Sequence, residues 1–206
     1  ERLCLLCEEA ITNPICFAAP CWGEEPFCLD MATSQIPWNK VLLYRSEGKN
    51  LKEGWAADID GKPTINPKKA SALLPIAGYK GFGLGLMIEI LSSLLTGMPF
   101  GLHIEPMYPL KKKERLLGHF FIAIDIAKFQ NVEEFKKRLK SLVKELRHLP
   151  ASYGFSRILV AGDPEKEMFS KRIKLGIPLS SDQRREFRDL AEKLNIGSKY
   201  TAFLKR

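Results

Sequence analysis

From Leu84 to Met98 apolar residues return at every third or fourth position: Leu84, Met87, Ile88, Leu91, Leu95 and Met98. That spacing predicts a helix. Leu86, Ile90 and Leu94 fill much of the other side, so the helix is expected to be largely buried. Gly97 and Pro99 mark its end. The run also holds Glu89, Ser92, Ser93 and Thr96. It falls short of the roughly 20 apolar residues a membrane span needs, and reads as a core helix. A second amphipathic helix carries Val132, Phe135, Leu139, Leu142 and Leu146 on one face, with Asn131 and Glu134 at capping-box spacing. A last helix carries Phe187, Leu190 and Leu194, capped by Ser180 and Gln183 and closed by Gly197.

Strand-length apolar runs occur at Ile15–Ala19, Phe27–Leu29, Phe120–Ile124 and Ile158–Val160. Ser34 is placed to cap a helix running through Val41 to Tyr44, with Pro37 in its first turn and Gly48 at its end. Asp60-Gly61 is a strong turn signal. Strands and helices do not alternate cleanly, so a two-layer α+β arrangement fits better than a doubly wound sheet.

Composition narrows the classes. The 206 residues suffice for one large domain or two small ones, and 45% are hydrophobic, enough for a real core. The five cysteines are odd in number and fall between Cys4 and Cys28, which disfavours a secreted disulfide framework. Cys4-Leu5-Leu6-Cys7 has metal-knuckle spacing but no second pair, so reduced thiols are expected and no metal. Glu1-Arg2-Leu3-Cys4 lacks a secretory pattern. No membrane association and a cytoplasmic location are therefore expected. The net charge is +8, yet only Lys111-Lys112-Lys113 forms a basic cluster and no aromatic residues interleave with it. That reads as a solvated loop and not as a nucleic-acid surface. The positive field would still draw in anionic ligands.

The segment Leu74-Pro75-Ile76-Ala77-Gly78-Tyr79-Lys80-Gly81-Phe82-Gly83-Leu84 is where a ligand is expected. Its glycines allow tight turns, Lys80 adds a charge, and a helix starting near Gly83 would aim its amides back at the loop. Leu86 stands where a Rossmann third glycine would be, and no Ser or Thr follows Lys80 as in a Walker loop. A phosphate cradle and a glycine-rich helix start with an exposed lysine both remain open. Asp30-Met31-Ala32-Thr33-Ser34 leaves a strand for a helix, either as a ligand loop or as a cap. Ala161-Gly162-Asp163-Pro164-Glu165 is either a ligand contact or a turn. Among His103, His119 and His148, the second is best placed for proton transfer, but it has no carboxylate neighbour in sequence. No serine-hydrolase elbow or histidine-glutamate metal motif is present. The residues alone support a ligand loop and no particular reaction.

Taken in order, Thr12-Asn13-Pro14, Asp30-Met31-Ala32-Thr33, Leu74-Pro75 with Lys80-Gly81-Phe82-Gly83, Gly118-His119-Phe120-Phe121 and Gly176-Ile177-Pro178 resemble the malate/L-lactate dehydrogenase family. The ureidoglycolate branch is most similar, through Trp55-Ala56, Asp60-Gly61, Pro63-Thr64, Gly97 to Gly101 and Met107-Tyr108. The resemblance runs from about Ile11 onward. It implies an α+β, mixed-sheet, non-Rossmann domain over residues 11–165, a helical segment over 166–206, and an unmatched stretch at 1–10. It implies hydride transfer between NAD or NADP and a 2-hydroxy or 2-oxo acid, in a homo-oligomer. Asp30, Met31, Ala32, Lys80, Gly162, Asp163 and Pro164 are the implied cofactor contacts, and Arg115 the implied partner of the substrate carboxylate. Ala161 departs from the proline usual before that late glycine. Family members carry an early Ser-His-Gly segment and a later catalytic histidine in an N-terminal half. No residue of this chain matches either, so no catalytic residue is assigned. A truncated dehydrogenase is expected, or alternatively a catalytically silent nucleotide-binding or assembly module.

Overall fold

The computed structural model describes residues 13–105 and 114–197. Thr12, the stretch 1–10, Met107-Tyr108 and the Lys111–Lys113 cluster lie outside the described residues. The chain divides into two compact units, Glu1–Gly162 and Asp163–Arg206. Helices dominate and the sheets are small, an α+β composition. Both sheets among the described residues are antiparallel, not mixed.

The first unit opens with a hairpin. Strand β1 (Pro14–Ala19) pairs antiparallel with β2 (Phe27–Ala32), with Pro14 opposite Ala32, Cys16 opposite Asp30 and Ala18 opposite Cys28. The second strand was expected to stop at Asp30. It continues to Ala32 because β1 supplies ladder partners that far. Helix α1 (Trp38–Ser46) starts one turn later than expected, with Pro37 as its N-cap. Ser34 does not cap it; its hydroxyl donates to the Ile36 carbonyl at 2.8 Å. Gly48 closes this helix with φ +64°, a conformation that costs glycine little.

Three two-residue strands follow: β3 (Ala56–Ala57), β4 (Pro63–Thr64) and β5 (Ala72–Leu73), in the order β4-β3-β5. The Asp60-Gly61 turn joins the first two, and the Asp58 carboxylate accepts the Asp60 and Lys62 amides. Ile36, Val41, Leu51, Ala56, Ala70 and Leu73 form the buried core, with Trp38, Tyr44 and Trp55 packed on its edge. The small β3 alanines let the Tyr44 and Trp55 rings close over it at 5.9 Å.

Helix α2 (Tyr79–Glu89) runs into a π-helical turn, Ile90–Leu94. Two expectations fail here. The helix begins at Tyr79, so Lys80, Gly81 and Gly83 belong to it and not to a preceding loop. Nor is it an apolar core helix. Gly81, Gly85, Glu89 and Ser93 are its buried positions, while Leu86, Met87, Ile90, Leu94 and Leu95 are exposed in this chain.

Helix α3 (Val132–His148) matches its predicted start. The Asn131 side chain accepts the amides of Glu133 and Glu134. Its inward residue is Val143, whereas Leu142 is exposed. It lies by the tip of the hairpin: Arg147 pairs with Glu24 at 3.2 Å and Lys137 sits over Trp22. The strands expected at Phe120–Ile124 and Ile158–Val160 are absent. Phe120–Ile124 is exposed throughout and Ile158 and Val160 are half-buried, and neither run forms a strand among the described residues. An apolar run becomes a strand only where another backbone takes up its N–H and C=O groups.

The second unit holds α4 (Asp163–Leu175) and α5 (Ser181–Lys193). The helical segment expected over 166–206 starts three residues earlier, at Asp163, inside the stretch that the sequence leaves open between a ligand contact and a turn. The Ser180–Gln183 capping box is complete in both directions. Asn195, with φ 52°, makes the left-handed turn after α5, a role expected of Gly197. Asparagine tolerates this conformation better than most residues.

Candidate functional site

Two separate stretches of sequence meet at the start of α2, and a third meets its later turns. After β2, the chain forms a bridge between Ser34 and Pro75. The Gln35 amide donates to the Leu74 carbonyl and the Ile76 amide donates to the Thr33 carbonyl, each at 2.9 Å. These bonds fix the end of the Asp30-Met31-Ala32 strand beside the turn that launches the helix. Ala77 (φ 47°) and Gly78 (φ 61°) make that turn. Gly81 is required by packing, because a Cβ there would land on the Ile76 carbonyl oxygen. Gly83 faces open space.

The start of α2 has no side-chain cap and no acidic residue in its first turn. Its first amides therefore keep unspent donors, and the helix dipole adds partial positive charge. Lys80 is the second helical residue, exposed and without an ion pair among the described residues. Free amides, a glycine turn and one ammonium group together suit an oxyanion such as a phosphate. Close by, Thr33 is 1% exposed and its hydroxyl has no partner among the described residues. Its backbone is already spent on Ile76, so this hydroxyl is a donor and acceptor still available.

The third stretch is the Asn13 end of β1. The Asn13 side-chain amide donates to the Gly85 carbonyl at 2.9 Å and to Glu89 Oε2 at 2.7 Å. The other oxygen of Glu89 accepts the Gly101 amide at 2.7 Å. Glu89 is 5% exposed. The chain pattern gave one clue to this cluster, a carboxylate inside an apolar helix; neither Asn13 nor Glu89 had been expected at a site.

On the hairpin face that carries Asp30, the Cys16 thiol is pushed above its ordinary range, first by partial desolvation, then by its hydrogen bond with Cys28 and by the charges of Cys28 and Asp30.

Of the residues expected at a site, Asp30, Met31 and Ala32 end the strand that leads into the Ser34–Pro75 bridge, and Lys80 lies in the helix that starts four residues after Pro75. Arg115 lies elsewhere. Its Nε donates to the Glu105 carbonyl at 2.9 Å, leaving its terminal nitrogens for another acceptor. Its segment packs on the far end of the helix: a Cβ on Gly118 would collide with the Ser92 carbonyl and the Thr96 hydroxyl. Ser92 is about 18 Å along the helix axis from Lys80, at a rise of about 1.5 Å per residue. Gly162 (φ 91°) ends the first unit, and Asp163 and Pro164 lie in the first turn of α4. Asp163 is buried. Of the histidines, His103 packs on Phe100, His119 lies near Phe121, and His148 Nδ1 is 2.6 Å from the Lys144 carbonyl.

Comparison with known proteins places these features. The chain belongs to the malate/L-lactate dehydrogenase family, whose model matches residues 10–188. It is 35% identical over 195 residues to a malate dehydrogenase of Pyrococcus abyssi, an alignment that covers 90% of this chain and 53% of that protein. It is 38% identical over 171 residues to the ureidoglycolate dehydrogenase (NAD(+)) of Escherichia coli K12, covering 83% of this chain and 49% of that one. Among solved structures, the malate dehydrogenase of Entamoeba histolytica superposes with a TM-score of 0.79 at 32% identity, over 90% of this chain and 55% of that chain. The chain thus spans about half the length of the curated relatives it matches. No helix among the described residues is long and apolar enough to cross a membrane.

Proposed function

We propose that this chain supplies the nucleotide site of an NAD- or NADP-dependent oxidoreductase acting on the CH–OH group of a 2-hydroxy acid. One observation carries the reading. The Asp30–Ala32 strand end is pinned by backbone bonds beside an uncapped helix start bearing a free lysine. That arrangement suits a phosphate next to a strand edge that can hold the rest of a nucleotide. In this reading Lys80 and the first amides of α2 hold the phosphates, and Asp30, Met31 and Ala32 bind the adjoining part of the cofactor, with Gly162 of the same unit a further contact. The bound nicotinamide supplies the hydride acceptor. Arg115 clamps the substrate carboxylate through its terminal nitrogens. Ureidoglycolate, malate, lactate and sulfolactate are the substrate class. Residues 11–165 form the nucleotide-binding domain and 166–206 a helical segment, in a cytoplasmic homo-oligomer. In the resembled family the hydroxyl proton goes to a histidine that no residue of this chain matches.

The test is a fluorescence titration of the full chain with NADH and NADPH, followed by turnover with the four acids. Saturable binding is expected, weakened about tenfold by Lys80→Ala, the loss of one charge-assisted contact. A wild-type chain that binds neither nucleotide would overturn the proposal. Binding without turnover would confine the role to holding the nucleotide.

A further inference from the structure

We infer that Glu89 is a positioning residue that aims the carbonyl oxygen of Asn13 at a hydrogen-bond donor of the bound ligand. The inference rests on the reading given under Proposed function.

A buried carboxylate with no cation is an expensive choice for the middle of a helix. Glu89 is 5% exposed, and its partners among the described residues are neutral N–H groups: the Asn13 side chain on one oxygen and the Gly101 backbone on the other. An apolar side chain would fill this place at less cost if packing were its sole purpose. What a carboxylate alone offers is two acceptor oxygens and no donor. A glutamine here would turn an NH2 group toward one of two donors.

The consequence falls on Asn13. Gly85 O and Glu89 Oε2 are both acceptors, so only the NH2 end of the Asn13 amide can face α2. The amide is planar, so Oδ1 is turned off the helix, and it has no partner among the described residues. Pro14 pairs with Ala32, which sets Asn13 beside the Asp30–Ala32 strand end and Thr33. The fixed oxygen is thus an acceptor at the margin of the nucleotide site. Along α2, Gly85 lies five residues and about 7.5 Å beyond Lys80. The phosphate end and this acceptor are therefore separated along one helix, as the two ends of an extended ligand require. The chemistry selected is an N–H or O–H donor. The carboxamide of the nicotinamide and the hydroxyl of the 2-hydroxy acid are its two sources.

The experiment titrates the 206-residue chain and its Asn13→Ala, Glu89→Gln and double variants with NADH and with ADP-ribose, which lacks the nicotinamide. If the carboxamide is the donor, each single variant weakens NADH about tenfold, ADP-ribose is unaffected, and the double variant is no worse than the weaker single. If the hydroxyl is the donor, NADH alone binds normally and the same pattern appears in hydroxy-acid binding to the NADH-loaded chain. Equal loss of ADP-ribose affinity, or fully additive effects, would overturn the inference by making the residues merely structural or independent. So would unchanged binding of every ligand. Should Asn13→Ala not fold, the wild-type Asn13 side-chain amide is followed by 15N NMR. Its resonances are expected to move on ligand addition in wild type, and static resonances in a chain that binds NADH would overturn the inference. A wild type that binds no nucleotide instead removes the underlying functional reading along with this one.

Discussion

The two sides of α2 and its π-helical turn invert the usual rule for a helix. One side buries Gly81, Gly85, Glu89 and Ser93 and is held by backbone approach and hydrogen bonds. The other presents Leu86, Met87, Ile90, Leu94 and Leu95 to solvent in this chain, and the apolar stretch Phe120–Ile124 is likewise exposed. Burial alone is therefore a poor guide to what stabilises this region. Apolar transfer is worth something only where a surface is actually removed from water. Small residues contribute where they let two backbones meet.

The comparison can be broken at its tightest point. Gly81→Ala drives a methyl group into the Ile76 carbonyl, and the expected loss is about 3 kcal/mol, the upper end for overpacking. Urea unfolding would measure it, and a change under about 1 kcal/mol would show that the contact yields. The neighbouring Gly83→Ala meets nothing within 4 Å. It should raise stability by about 0.5–1 kcal/mol, because alanine loses less backbone entropy in a helix. On the apolar side, Leu95→Gln and Phe121→Gln should each shift stability by no more than about 0.5 kcal/mol, since both side chains are already solvated. A larger loss in the same denaturation assay would mean that something covers them in solution. The smallest effect is one of reactivity. Desolvation, Cys28 and Asp30 raise the Cys16 thiol, so less thiolate exists at a given pH. Alkylation of Cys16 by iodoacetamide should rise at higher pH than that of a free thiol, and Asp30→Asn should bring the midpoint down. A midpoint at or below that of free cysteine would contradict this.

Sequence reading works best here where structure is local. The Asn131 cap, the Ser180–Gln183 box and the Asp60-Gly61 turn depend on a few adjacent residues, and all three are present. The first strand was legible for the same reason. It fails where a partner from afar decides. Asp30–Ala32 is strand because β1 lies alongside, which no window around residue 30 contains. The glycines at 81 and 83 argue against helix by propensity, and tertiary contact with Ile76 overrides them. Phe120–Ile124 has a strand's composition, but among the described residues it pairs with no neighbour. At the candidate site, Lys80 and Asp30–Ala32 could be picked from sequence, because each lies in a short local motif. Asn13, 76 residues from Glu89, could not be paired with it from sequence.

The π-helical turn also affects how this chain lines up against its relatives. A widened turn accommodates one residue more than a regular helix while leaving the flanking segments in place. A helical wheel drawn in uniform steps through 84–98 consequently slips by one position, about 100°, once past Leu94. Leu95 and Met98 then fall out of phase with Leu84 and Met87. A relative one residue shorter between Ile90 and Leu94 would keep the same groove for Gly118, with the gap inside the helix.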